Sequence, residues 1–391
     1  MSHPHREQPL RETHFNNAGI DDPVTDQDDC RQSVQTERST GRIVGIDVAR
    51  GLAILGMMAV HTLDPGPFPW VEWMPDNWDQ TVRGRSAILF AVIAGISIAI
   101  LSGRNRPYTG VPLLQARMRI LVRAVVIFGW GGVLWAIPDQ PLAIILEFYA
   151  VTFALALPFL SVPPRVLLPL TGVLAIVLPA VMFVLQNLNA RGELGDPAII
   201  VRMMITGTYP AMTWIVYVLL GLAVGRLDLE STSVRIRLFL AGWALALAGI
   251  LGARWAAQTW PPPEYGSDNV VGRFDLRRMA TTEAHTETWF EVVGSCGVAL
   301  VIVVACIVIA PRARVLVYPL AATGAMALSV YSIHAISMPW IWDHLDLDNQ
   351  YQIYLWTVAI TLVASTLWRL IVGQGPLEWV LSGLSWRAAR I

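Results

Sequence analysis

The run Ile43-VGIDVARGLAILGMMAVHT-Leu63 constrains this chain more than any other stretch, because a long apolar segment there carries three ionisable side chains. At about 1.5 Å per residue it spans about 31 Å, against a bilayer hydrocarbon core of roughly 30 Å. It is expected to cross a membrane as a helix. An ionisable residue at the centre of such a helix costs roughly 2.5–3.5 kcal/mol, so Asp47, Arg50 and His61 need polar partners or a wet cavity. Arg50 and His61 are separated by about 20° of net rotation and roughly 16 Å of rise, and Asp47 lies about 60° round from Arg50. All three share one face, with Ile54 and Met57 between them. Asp47 can pair with Arg50 at i,i+3, which leaves the histidine free. Two readings follow: a structural ion pair with His61 capping the outer end, or an aligned site running through the membrane.

The rest of the chain fits a membrane setting. Of 391 residues 54% are hydrophobic and only 15% charged, and the mean hydropathy is +0.52, so an all-α polytopic membrane protein is expected. A net charge of −1 argues against a nucleic-acid partner. Cys30, Cys296 and Cys306 have neither metal-ligand nor disulfide-framework spacing.

Residues 1–42 are polar and mixed in charge, which predicts a disordered cytoplasmic tail without a cleavable signal peptide. A membrane domain is expected over residues 43–373 and an interfacial cytoplasmic tail over 374–391, where GPLEWVLSGLSW has an amphipathic pattern. After the first span, Asp64-PGPFPWVEWMPDNWDQ-Thr81 reads as an interfacial loop with an aromatic belt. Further spans are expected near 82–101, 120–137, 142–160, 166–185, 209–225, 238–256, 289–310, 316–340 and 353–372, about ten in all. Arg104, Arg106, Arg117 and Arg119 fall in one connection, and with Arg226, Arg235, Arg237, Arg312, Arg314 and both tails they lie on the N-terminal side. Cytoplasmic loops carry the excess of positive charge, so both termini should be cytoplasmic. No internal or inverted repeat stands out.

That orientation puts His61, His285 and His334 at the outer side. Histidine titrates near neutral pH and is the usual general base, though each alone could equally be a structural hydrogen-bonding group. His344, in WDHLDLDNQ, is expected in solvent. No HxxxH or HExxH spacing suggests a metal, no GxSxG elbow suggests a serine hydrolase, and AGISIAILSG and GWGG suit close helix contacts better than a phosphate cradle. Glu147 is a further intramembrane charge, either a proton acceptor, a partner for Arg123 or a buried neutral carboxyl. The cytoplasmic arginines are topology signals that would also suit the phosphates of a nucleotide-bearing donor.

Arginine, ten residues, histidine, in Arg50-GLAILGMMAV-His61, resembles the first-helix signature of integral-membrane acyltransferases. With YPAMTWIVYVLLGLAVGR, AHTETWFEVVGSCGVAL, MALSVYSIH and GPLEWVL, the chain resembles bacterial proteins similar to heparan-alpha-glucosaminide N-acetyltransferase. That resemblance implies a transferase moving an acetyl group from cytoplasmic acetyl-CoA to a hydroxyl or amine of an extracytoplasmic acceptor, a glycan or small molecule. With it, the shared outer placement of His61, His285 and His334 suggests catalytic roles for them, and the inward side suggests donor binding by Arg50, Asp47, Arg117 and Arg119. The animal lysosomal enzymes place their key histidine in the loop after the first helix, whereas Asp64 to Thr81 holds none here, and His61 is the nearest substitute. Membrane lipid and acyl-CoA are the expected partners, with homo-oligomerisation open. The alternatives are a proton-coupled transporter using Asp47, Arg50, Glu147 and His334 as a relay, and a non-catalytic scaffold.

Overall fold

Helices form along the apolar runs and stop where polar or proline-bearing connections begin. The computed structural model describes residues 43–63, 82–196, 198–261, 274–344, 346 and 349–389. The expected disordered tail over 1–42 and the expected interfacial loop 64–81 lie outside the described residues. In chain order the helices are α1 Val44–Thr62, α2 Arg85–Leu101, α3 Gly110–Trp135, α4 Leu146–Ala156, α5 Pro164–Ala190, α6 Ile199–Ile205 and α7 Ala211–Gly225. They continue with α8 Thr232–Thr259, α9 Trp289–Ile309, α10 Arg314–Ala325, α11 Ala327–Asp343, α12 Gln350–Ile371 and α13 Pro376–Ala388. Short 3-10 turns cover Leu157–Ser161 and Leu276–Met279, and the described residues contain no strand.

Among the described residues six helices, α1, α3, α5, α8, α9 and α12, are long and apolar enough to cross a membrane, and the bent pair α10 and α11 would make a seventh. The chain is therefore an all-helical, multi-pass membrane protein. The remaining three apolar segments, α2, α4 with its 3-10 turn, and α7, are 10–17 residues long, so the expected count of about ten is not reached by length. Their shortness has a physical counterpart in burial. α7 is buried along nearly its whole length, and so faces protein rather than a hydrocarbon layer that it would have to match. α12 is the opposite case, with only Gln350 and Ser365 buried and its aliphatic side chains facing outward.

α2 and α7 pack backbone to backbone. A side chain at Gly221 would come within 1.9 Å of the Val92 carbonyl oxygen, and one at Gly95 within 2.1 Å of that of Val218. Small residues at this crossing are what bring the two helices into van der Waals contact in the absence of a hydrophobic driving force. Arg226, 2% exposed at the end of α7, closes the neighbouring end of α2 by donating to the carbonyls of Ser102 and Arg104 at 3.1 and 2.8 Å and to that of Leu160. A cation that satisfies the terminal carbonyls of a helix suits its dipole.

Two expected element boundaries are corrected. Arg117 and Arg119 do not lie in a connection: α3 begins at Gly110 and carries both, along with Arg123, as arginine is a good helix former. The expected single span over 316–340 is two helices bent by 73° at Met326. The amides freed at the start of α11 donate to Glu378 of α13, Leu328 N at 2.7 Å and Ser329 N at 3.1 Å, and Ser329 Oγ donates to the same carboxylate at 2.5 Å. An anion at a helix N-terminus takes up the donors that an intact helix would have used.

Candidate active site

Arg50, in the N-terminal half of α1, lines a cavity of about 230 Å³. Its Nη1 donates to Asp47 Oδ1 at 2.9 Å and to the Gly324 carbonyl at 3.1 Å, and its Nη2 donates to Ser97 Oγ at 2.8 Å. The i,i+3 pair read from the spacing is therefore formed, and α2 and α10 supply the remaining partners. Gly324 permits this approach, because a side chain there would lie within 1.8 Å of the Asp47 carbonyl oxygen. Arg123, Glu378, Tyr149 and Tyr331 also line the cavity. Arg117 and Arg119 do not; Arg119 instead lies over the Trp386 ring, its Cζ 3.7 Å from the ring centre.

Three turns further along α1, His61 Nδ1 lies 3.0 Å from His334 Nε2 of α11, with the two rings within 11° of parallel. His334 is buried, and its Nδ1 has no hydrogen-bond partner among the described residues. His61 also lines a narrow cavity of about 30 Å³ together with His285 and Tyr209. The three histidines expected to gather thus do so, two by direct contact and the third across this cavity. Met57, Ile145 and Tyr331 line both the His61 cavity and the Arg50 cavity, so they form the wall between them. Tyr331 is tied into that wall by accepting from the Ile145 amide at 3.4 Å.

His285 sits in a turn built by an acid that the sequence reading did not single out. Glu291, in the first turn of α9, accepts from the amides of His285, Thr286 and Glu287 at 2.7, 3.0 and 2.7 Å. His285 and Glu287 adopt φ of 62° and 58°, the left-handed region that ordinary residues avoid, and these hydrogen bonds hold them there. Burial lowers the His285 imidazole below its ordinary value, with Arg83 adding to the effect against a hydrogen bond to the Thr208 backbone. It is therefore neutral at pH 7, as a base or hydrogen-bonding group requires. Glu287 is buried too, and Trp214 Nε1 donates to its Oε1 at 3.3 Å. The signal for both acids was in the sequence, as two glutamates four apart at the mouth of a strongly apolar span.

The acyltransferase domain family matches residues 43–373, most of the chain. The chain belongs to that family. No significant match is found among curated proteins. Family membership makes this acyltransferase a transferase and disfavours the transporter reading, while the narrower likeness to heparan-alpha-glucosaminide N-acetyltransferase is not what the match establishes. Within the acyltransferase, His344 is exposed and packs on Trp340, as expected for a loop residue. Glu147 is not paired with Arg123: it packs against Gly131, about two turns along α3 from Arg123, which itself donates to Ser385 Oγ at 3.4 Å.

Proposed function

We propose that this acyltransferase moves an acetyl group from cytoplasmic acetyl-CoA to a hydroxyl or amine of an extracytoplasmic, sugar-containing acceptor. The observation that carries the reading is the single helix α1, which holds Arg50 in one cavity and His61 in the next, with Met57, Ile145 and Tyr331 lining both. Arg50 and Arg123 bring guanidinium donors to the inner cavity, beside Glu378, where they suit polar parts of an acyl-CoA, whose phosphates would remain with the inward arginines, Arg117 and Arg119 among them. The thioester would reach toward His61.

His61 acts as the general base in this scheme. His61 Nδ1 and His334 Nε2 lie 3.0 Å apart, and the scheme uses the tautomer in which His61 Nδ1 donates to His334 Nε2, which fixes the ring and leaves His61 Nε2 to accept. An acceptor O–H gives its proton to that Nε2, the oxygen bonds to the thioester carbonyl carbon, and the C–S bond breaks. His61 releases the proton to water outside, and the leaving thiolate is protonated from the inner side. Base catalysis of this kind contributes about 10²–10⁴-fold.

Acetyl-CoA binding to purified protein, measured by calorimetry, tests the donor. Wild type should bind, and Arg50→Lys should bind more weakly, because lysine keeps the charge and loses the planar fork that reaches Asp47, Ser97 and ligand together. Wild-type protein that binds no acyl-CoA would remove acetyl-CoA as donor, and equal affinities would leave Arg50 merely structural. His61→Ala should abolish transfer while donor binding persists; retained transfer would remove the base.

A further inference from the structure

A cavity of about 650 Å³ lies apart from the two that α1 lines, between α5 and α8 and over a floor of α7 and α9. The floor is buried, with Val216 and Val224 0% and Leu300 3% exposed, whereas Leu168 and Ile176 of α5 and Ala241 of α8 lie at the surface of the bundle. α5 and α8 are both long and apolar enough to cross a membrane, so the groove opens sideways toward hydrocarbon. Its lining is apolar but for three residues. The Thr171 hydroxyl donates to the Leu167 carbonyl at 2.7 Å, and Cys296 packs as a small apolar group. The third is Arg237, at the end of the groove near the start of α8, and it makes neither a hydrogen bond nor an ion pair among the described residues. The acids of the connection before α8, Asp228 and Glu230, are not on the lining, and Glu230 pairs with Arg104 at 3.2 Å. From Val234 to Leu245, α8 lines the groove over about 16 Å, half of the roughly 30 Å hydrocarbon core and hence the depth of one leaflet.

We propose that this groove binds one anionic glycerophospholipid from the leaflet on the Arg237 side, with an acyl chain along the groove and the phosphate on the guanidinium. Arginine and phosphate form charge-assisted hydrogen bonds, and a basic pocket between membrane helices on the cytoplasmic side suits an anionic headgroup. The arginine asymmetry assigns that side to the cytoplasm. A zwitterionic lipid would bring its own cation to the same arginine, so the net-anionic lipid is favoured. Water does not take its place, because apolar walls leave it without partners. A helix from another chain is too thick: about 10 Å across, over 16 Å of length it fills roughly 1,200 Å³, nearly twice the space present. The site does not depend on the proposed acyl transfer.

The test is native mass spectrometry of the full chain in detergent, titrated with phosphatidylglycerol or with phosphatidylcholine of the same acyl chains. Wild type should bind one phosphatidylglycerol with roughly fivefold preference over phosphatidylcholine, the effect of one arginine near an anionic headgroup. Arg237→Gln should bind the two alike. Gly172→Phe should weaken both, because Gly172 lines the groove with nothing within 4 Å of where its Cβ would stand, and a ring there occupies the path of the acyl chain. Phenylalanine also suits a helix better than glycine, so this variant should fold. Arg237 is exposed and has no partner to lose, so Arg237→Gln decides the matter if Gly172→Phe does not fold. Equal binding of the two lipids by wild type, or a preference that survives in Arg237→Gln, overturns the headgroup assignment, and unchanged binding in folded Gly172→Phe overturns the groove. A lipid-free dimer that Gly172→Phe breaks would overturn the lipid in favour of a second copy of the chain.

Discussion

The carboxyl of Glu287 is pushed well above the ordinary value of 4.5, first by burial and then by the neighbouring Glu291. The folded chain thus keeps a proton that the unfolded chain gives up from about pH 4.5 upward. The unfolded state binds fewer protons over that range, so stability falls as pH rises and is fully present only below 4.5. Glu287→Gln keeps the shape and the acceptor for Trp214 but cannot ionise. Its melting temperature should exceed that of wild type at pH 7 by more than it does at pH 4.5, as followed by tryptophan fluorescence. A difference independent of pH would show that Glu287 is not held protonated. Residues of this kind are the ones a single sequence hides. Asp47 and Arg50 were legible because both lie on one helix and their spacing fixes the geometry. Ser97 and Trp214 were not, because each meets its partner only through the packing of separate segments.

Most elements were legible from apolar runs alone, since a segment in hydrocarbon has to satisfy its own backbone. The break between α10 and α11 was not. Pro319 and Pro339 lie inside helices, while the bend falls at Met326, where the sequence remains apolar and has no proline. The group that stabilises the bend, Glu378, comes about 50 residues later and belongs to α13, whose sequence shows only the pattern of an interfacial helix. Glu378→Ala should leave the Leu328 and Ser329 donors without their partner, a loss on the order of 2–3 kcal/mol for hydrogen bonds to a charged group. Glu378→Gln should recover part of it, because an amide oxygen still accepts. Thermal unfolding of the two variants in detergent measures this. Equal melting temperatures for wild type and Glu378→Ala would mean that the bend is held by packing alone.

At the scale of the whole molecule the arginine asymmetry predicts that the connections after α2 and before α10 face the cytoplasm, together with both termini. Single cysteines at Tyr108 and Ala313, introduced with Cys30 replaced by serine, should resist a membrane-impermeant thiol reagent on intact cells and react once the cells are opened. Strong labelling from outside at either position would reverse the orientation and, with it, the assignment of Arg50 to the donor side.

The wall of Met57, Ile145 and Tyr331 has an electrical consequence. In the proposed reaction the acceptor's proton is released on one side of this wall and the thiolate takes up its proton on the other. On the proposed reaction each turnover therefore displaces up to one elementary charge across the insulating layer. At a membrane potential of 100 mV that is about 2.3 kcal/mol for a full crossing. On that reaction the three side chains that line both cavities would make acyl transfer respond to voltage.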